Sequence, residues 1–159
     1  MQNQLANWAN ELEKSFHGNP SGLDTAVVAY EECILFAKGK EPEPLHIPSN
    51  RRALEFVLID SNIRASTLAM IRIAQPYFQG PHGDGRLRAF DELSLAAHHA
   101  LQNGHAMELG ETMHACASLL LAAGVVPPSL QDMIDQARNL GLLGVKTTGA
   151  GGGGMILGL

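Results

Sequence analysis

Two stretches of this chain hold residues whose types and spacing suit chemistry. The first is Phe16-His17-Gly18-Asn19-Pro20-Ser21-Gly22-Leu23-Asp24. Asn-Pro and Ser-Gly are turn signals, and the two glycines permit backbone angles that other residues resist. Such a turn can hold the Asp24 carboxylate at a fixed angle to a substrate, where it could accept a hydroxyl proton. By itself, a turn that ends in one acid also reads as an ordinary loop. The second stretch is Lys146-Thr147-Thr148-Gly149-Ala150-Gly151-Gly152-Gly153-Gly154, between two short apolar runs. With no side chains in the way, consecutive N–H groups of such a loop can converge on an anion such as a phosphate. A glycine run is often a linker, but linkers are rarely flanked so tightly by strand-like segments. No Gly-x-x-x-x-Gly-Lys-Ser/Thr pattern occurs in the sequence, which excludes the P-loop type of nucleotide site.

The elements that must position these stretches follow from periodicity. Leu5, Trp8, Leu12 and Phe16 recur at helical spacing and predict an amphipathic helix over 3–15, with Glu11, Glu13 and Lys14 off its stripe. Thr25–Tyr30 and Cys33–Phe36 read as strands in a hairpin-like pair, followed by a polar turn through Pro44 and a short strand at Leu45-His46-Ile47. Pro48-Ser49-Asn50 reads as a domain boundary. Leu54–Asp60 reads as a buried strand leading through Ser61-Asn62 into a helix from about 65 to 77. Ser66 or Thr67 stands near the start of that helix, as a cap or as a substrate contact; both readings stand. Pro76 is expected to end or kink it, and Gly80–Gly85 reads as a loop. Helices near 86–102, 106–123 and 128–140 follow, punctuated by Gly104, Gly124 to Pro128, and Gly141. Strands at Leu143–Thr147 and Met155–Leu159 then flank the glycine loop.

Composition narrows the function classes. The 159 residues suffice to bury a core. A net charge of -5 and a pI near 5.7, with 11 scattered Lys and Arg, argue against nucleic acid or an anionic membrane as partner. Cys33 and Cys116 make no metal or redox spacing and suit a reducing compartment. His98, His99, His105 and His114 form no His-Glu-x-x-His pattern and read as surface or core residues. The polar start shows no secretory signal, and the longest apolar run, Ala115 to Val126, is too short to span a bilayer. The expectation is a soluble, cytoplasmic protein.

Together, the two stretches resemble two of the three signature motifs of the GHMP family of small-molecule kinases. His17 to Asp24 is similar to the form the turn takes in the mevalonate kinase branch, and the resemblance runs along nearly the whole chain. It implies an α+β, GHMP-kinase-like fold: a helix plus β-hairpin, then a helical layer on a small antiparallel sheet, an incomplete ferredoxin-like C-terminal domain. Residues 1–50 would be the remnant of the N-terminal kinase domain and 51–159 a truncated C-terminal domain. The implied reaction is ATP-dependent phosphorylation of a small alcohol, foremost mevalonate to 5-phosphomevalonate, with ATP and Mg2+ as cofactors. By this resemblance Asp24 would orient or deprotonate the hydroxyl. Glu13, eleven residues earlier, would help hold magnesium. His17, Ser21 and Thr67 would contact substrate, and Gly149, Ala150, Gly151, Gly152 and Gly153 would lie on the phosphate side.

The sequence also departs from the family. Glu31-Glu32 stands where mevalonate kinases commonly have Gly-Gly. Ala65 stands where some members have an arginine, with Arg64 one position earlier. The family's early lysine and its Pro-x-x-x-Gly-Leu-Gly-Ser-Ser-type phosphate loop do not occur in the sequence, and the resemblance ends before the family's last helix and strand. The expectation is therefore a kinase portion, inactive by itself, that works with a separate N-terminal half or a second copy, with a sheet edge left open. Two alternatives stand beside it: a non-catalytic remnant or interaction protein, and a GHMP kinase for another small alcohol.

Overall fold

The computed structural model describes residues 1–17, 20–47 and 54–159, and only the backbone at 16 and 17. It falls into two compact units, Met1–Ser49 and Asn50–Leu159. The boundary expected at Pro48-Ser49-Asn50 lies outside the described residues, as do Gly18 and Asn19 of the first turn.

In the first unit, helix α1 (Gln2–His17) packs on helix α2 (Leu23–Tyr30), and a hairpin of β1 (Ile34–Leu35) and β2 (Glu43–Pro44) follows. The expected strand at Thr25–Tyr30 is thus a helix. Its β-branched residues favour a strand, but Asp24 in the first turn suits the helix dipole and Ala26 and Ala29 pack against Ala6 of α1. Small residues on both helices allow that close approach. The short strand expected at Leu45-His46-Ile47 falls instead at Glu43–Pro44, with one further ladder bond from the Leu45 N–H to the Cys33 carbonyl at 2.8 Å. Glu31 caps α2 in the left-handed region, with φ 55°. A glycine accepts that conformation without the cost of roughly 1–2 kcal/mol that a Cβ brings, so Glu31 stands where the backbone favours a glycine.

The apolar stripe of α1 does not face the α1–α2 core. Leu5, Trp8 and Leu12 are exposed, Trp8 at 69%. Periodicity located the stripe but could not say what it faces.

The second unit is built on an antiparallel sheet of β3 (Val57–Asp60), β4 (Val145–Thr147) and β5 (Met155–Gly158), in the order β3-β5-β4. Val57 pairs with Gly158, and Thr147 with Ile156. Four helices accompany it: α3 (Thr67–Gln79), α4 (Gly83–Asn103), α5 (Ala106–Ala122) and α6 (Pro128–Asn139). Alternation along the strands separates two cores. Val145 and Ile156 pack with Leu130 and Ile134 of α6 and with Met70 and Ala74 of α3. Leu157 packs with Ala100 and Leu101 of α4 and with Leu109 and Met113 of α5. The α+β class expected from the sequence is the class observed.

Three local expectations are corrected. Leu54–Asp60 is not a buried strand: β3 covers Val57–Asp60 only, and Val57 and Leu58 are exposed, Leu58 at 62%. Pro76 lies inside α3, which continues to Gln79. Its last turn is held by Arg86, which donates to the Tyr77 carbonyl and lays its guanidinium 3.9 Å from the centre of the Tyr77 ring. The loop expected at Gly80–Gly85 is shorter, because α4 begins at Gly83. Gly110 of α5 sits so close to the chain before β4 that a Cβ there would stand 2.4 Å from the Leu143 carbonyl oxygen. Helix and strand meet backbone to backbone.

Candidate functional site

In the first unit, Gly22 is the N-cap of α2, with φ 85°. The turn before it is braced by its own side chains. The Leu23 N–H donates to Ser21 Oγ at 3.2 Å, and Thr25 Oγ1 donates to the Gly22 carbonyl at 3.1 Å. Asp24 follows as the second residue of the helix, exposed and, among the described residues, without an ion-pair partner. A carboxylate there is favoured by the free N–H groups of the first turn and remains open to a ligand. Glu13 is half-buried on α1. No hydrogen bond or ion pair joins Glu13 to Asp24 among the described residues, and neighbouring Lys14 is paired with Glu11. The His17 side chain lies outside the described residues.

In the second unit, the glycine loop folds back onto the turn between β3 and α3. The Gly154 N–H donates to the Ile63 carbonyl at 2.8 Å, and the Ser61 N–H donates to the Gly154 carbonyl at 3.0 Å. Ser61 Oγ donates to that same carbonyl at 2.7 Å. The glycines are required by this fit as well as by their conformation. A Cβ on Gly153 would stand 2.5 Å from the Ile63 carbonyl oxygen, and one on Gly151 would stand 2.9 Å from Val125. Among the described residues the N–H groups of 149–153 have no protein hydrogen-bond partner. Gly149, Gly151 and Gly152 have positive φ, a backbone pattern of the kind that can gather successive N–H groups on an anion.

The start of α3 lies against this loop. A Cβ on Gly152 would meet the Ala65 side chain at 2.8 Å and Met70 Sδ at 2.3 Å. Ser66 is the N-cap of α3, its hydroxyl accepting a long bond from the Ala69 N–H at 3.5 Å. Thr67 is the first helical residue and is exposed. Two features that favour anions, a helix N-terminus and a run of free N–H groups, therefore adjoin in one unit. Arg64 is engaged within its own turn. It makes a two-pronged pair with Asp60, at 2.9 and 3.0 Å. The Arg64 hydrogen bond, with the Asn62 N–H second, lowers the Asp60 carboxyl to about 2.

Sequence reasoning missed the braces. Ser61, Ile63 and the Asp60–Arg64 pair hold the loop and its neighbouring turn, and no local signal marks them beyond the polar residues at a strand end. Among the described residues no group of three or more His, Cys, Asp or Glu gathers into a metal centre, and no helix is long and apolar enough to cross a membrane. His114 is held below the usual imidazole range by burial and then by Arg138.

With this geometry in view, comparison with known proteins is informative. Residues 97–159 match the family model described as GHMP kinases C terminal. A mevalonate kinase of Aeropyrum pernix is 29% identical over 153 residues, covering 95% of this chain and 47% of its own length. One from Candida albicans is 30% identical, covering 92% of this chain and 36% of its own length. Among solved structures, L. major mevalonate kinase in complex with R-mevalonate superposes with a TM-score of 0.85 at 25% identity, covering the whole of this chain and 49% of that one. A Streptococcus pneumoniae phosphomevalonate kinase in complex with phosphomevalonate and AMPPNP shares the fold, with a TM-score of 0.80 at 18% identity over 99% of this chain. The chain spans less than half the length of the curated relatives described here. Residues 97–159 thus match the C-terminal region of the GHMP kinases, and the chain is similar to mevalonate kinases over nearly its whole length.

Proposed function

We propose that this chain supplies the catalytic-base turn and the glycine-loop side of an ATP-dependent small-alcohol kinase, with mevalonate as the alcohol. The observation that carries this reading is the run of unpartnered N–H groups at 149–153 beside the start of α3, in a chain whose relatives over 95% of its length are mevalonate kinases. On this reading residues 1–50 belong to a catalytic domain that continues beyond them, and 51–159 form most of its C-terminal partner domain.

Asp24 is the group that accepts the hydroxyl proton as the substrate oxygen takes up the phosphoryl group. Its fixed place in the first turn of α2 orients the hydroxyl for that transfer. His17, Ser21 and Thr67 contact the alcohol. The N–H groups of Gly149, Ala150, Gly151, Gly152 and Gly153 accept negative charge on the nucleotide phosphates without reorganising. Both Glu13 and Asp24 are carboxylates outside any ion pair among the described residues, which suits a hard divalent cation bound also by phosphates. Magnesium at Glu13 would neutralise phosphate charge during the transfer.

The test is reconstitution with the N-terminal portion of a mevalonate kinase, followed by steady-state kinetics with ATP and mevalonate. Turnover should appear, and Asp24→Asn should lower kcat by roughly 10²–10⁴-fold with a much smaller change in KM. Glu13→Gln should instead raise the magnesium concentration needed for half-maximal rate. If Asp24→Asn keeps more than about a tenth of the turnover, the base assignment is wrong.

A further inference from the structure

A second cavity lies wholly inside the larger unit, away from the glycine loop. It measures about 350 Å3 and sits between the α4–α5 pair and the sheet face that carries Lys146 and Leu157. Phe90 and Leu101 of α4, Met113 of α5 and Leu157 of β5 give it apolar walls. Among the described residues two titratable groups line it, Lys146 and Cys116, and no carboxylate does.

Lys146 is the unusual member. Its neighbours on β4, Val145 and Thr147, point into the opposite core, so alternation sends Lys146 to the cavity side. Its ammonium donates to the Thr147 carbonyl at 2.6 Å, and among the described residues no carboxylate lies within ion-pair distance of it. An ammonium has three donors, so this one keeps donors to spare at the wall of an apolar space. A lone cation in such surroundings gains most from an anion that brings its own apolar surface.

We infer that this cavity binds an amphiphilic carboxylate: an unbranched alkyl chain in the space between α4, α5 and the sheet, with its head group on Lys146. The volume lies near the lower end of ligand cavities, which suits a chain of about ten carbons rather than a ring-bearing ligand. The site is separate from the kinase reading and does not depend on it.

Cys116 makes the site testable, because it lines the cavity while Cys33, in the other unit, is exposed. Burial raises the Cys116 thiol, so its alkylation is slow and sensitive to access. The full chain is treated with iodoacetamide across a decanoate titration, and modification of each cysteine is followed by peptide mass spectrometry. Decanoate should slow alkylation of Cys116 by about ten-fold or more at saturation and leave Cys33 unchanged. Lys146→Met should weaken the apparent affinity by about ten-fold, the worth of a charge-assisted hydrogen bond. Decanol should protect with similarly reduced affinity, and acetate should not protect. Ser94→Trp, at the exposed rim on α4, should abolish protection while the far-UV circular dichroism and melting temperature stay as in the parent chain. Unchanged Cys116 alkylation at millimolar decanoate would overturn the proposal. So would protection that survives Lys146→Met with undiminished affinity.

Discussion

The Ser61 hydroxyl donates to the Gly154 carbonyl at 2.7 Å, joining residues 93 positions apart in the chain. With the Ser61 and Gly154 backbone bonds beside it, the glycine loop is fastened to the end of β3 rather than hung between its own two strands. This explains how a segment so rich in glycine keeps one conformation.

Removing the hydroxyl tests that fastening. In Ser61→Ala the Gly154 carbonyl keeps its bond from the Ser61 N–H, but the hydroxyl's bond to that carbonyl and the bond it accepts from the Ile63 N–H at 3.2 Å are both lost, so the cost should be about 1–3 kcal/mol. Urea unfolding should show the loss, and hydrogen exchange should show weaker protection of the Gly154 amide. A stability loss under a few tenths of a kcal/mol with unchanged exchange would mean that close packing alone holds the loop.

Gly152→Ala should cost more. Its φ is 78°, and the added methyl would stand 2.3 Å from Met70 Sδ. Overpacking of this kind costs about 1–3 kcal/mol, with the backbone penalty in addition. Because the nearest obstacle is a flexible thioether, Met70→Ala in the same chain should recover part of the loss. A double-mutant cycle on unfolding free energies measures that coupling. Strict additivity would show that the cost comes from the Ala65 side chain and the left-handed backbone instead.

Acid should act on the β3–α3 turn through Asp60. Its carboxyl is lowered from 3.8 to about 2 in the fold, first by the Arg64 hydrogen bond and then by the Asn62 N–H. A depressed carboxyl contributes stability that is fully present above its unfolded value and is lost as pH falls toward the folded one. The contribution should therefore fade between about pH 4 and pH 2. Both side chains are largely exposed, so salt should weaken the effect. In Arg64→Ala the Asp60 titration, followed by carboxyl NMR shifts, should move back toward the ordinary range. If it stays near 2, the Asn62 N–H is the dominant cause.

The parts of the fold legible in the sequence were those with local punctuation. Ser66 caps α3, Pro128 opens α6, and Gly104 ends α4 in the left-handed region, each a signal within a few residues of the boundary it marks. Thr25–Tyr30 was misread because Val27, Val28 and Tyr30 favour a strand over so short a span, and the alanine contact with Ala6 that favours a helix comes from another element. Pro76 does not end α3, and the support of the helix's last turn comes from Arg86 on the next helix, beyond any local signal. The glycine loop was conspicuous as a run of glycines. Its reasons, at Ile63, Ala65, Met70 and Val125, depend on a tertiary turn that no spacing in the sequence reveals.

The pairing of Val57 with Gly158 joins the two ends of the larger unit, and it sets an order of assembly. The β4–β5 pair and the α4–α5 contact close over short stretches of chain, whereas β3 must wait for β5, far along the chain. During synthesis Phe56, Val57 and Leu58 emerge early and stay without their partner until β5 follows, and even then all three keep substantial exposure. This edge should be the last part of the sheet to form and the first to open. Pulse-labelled hydrogen exchange during refolding should protect β4–β5 amides before those of β3; simultaneous protection would mean that the sheet closes in one step.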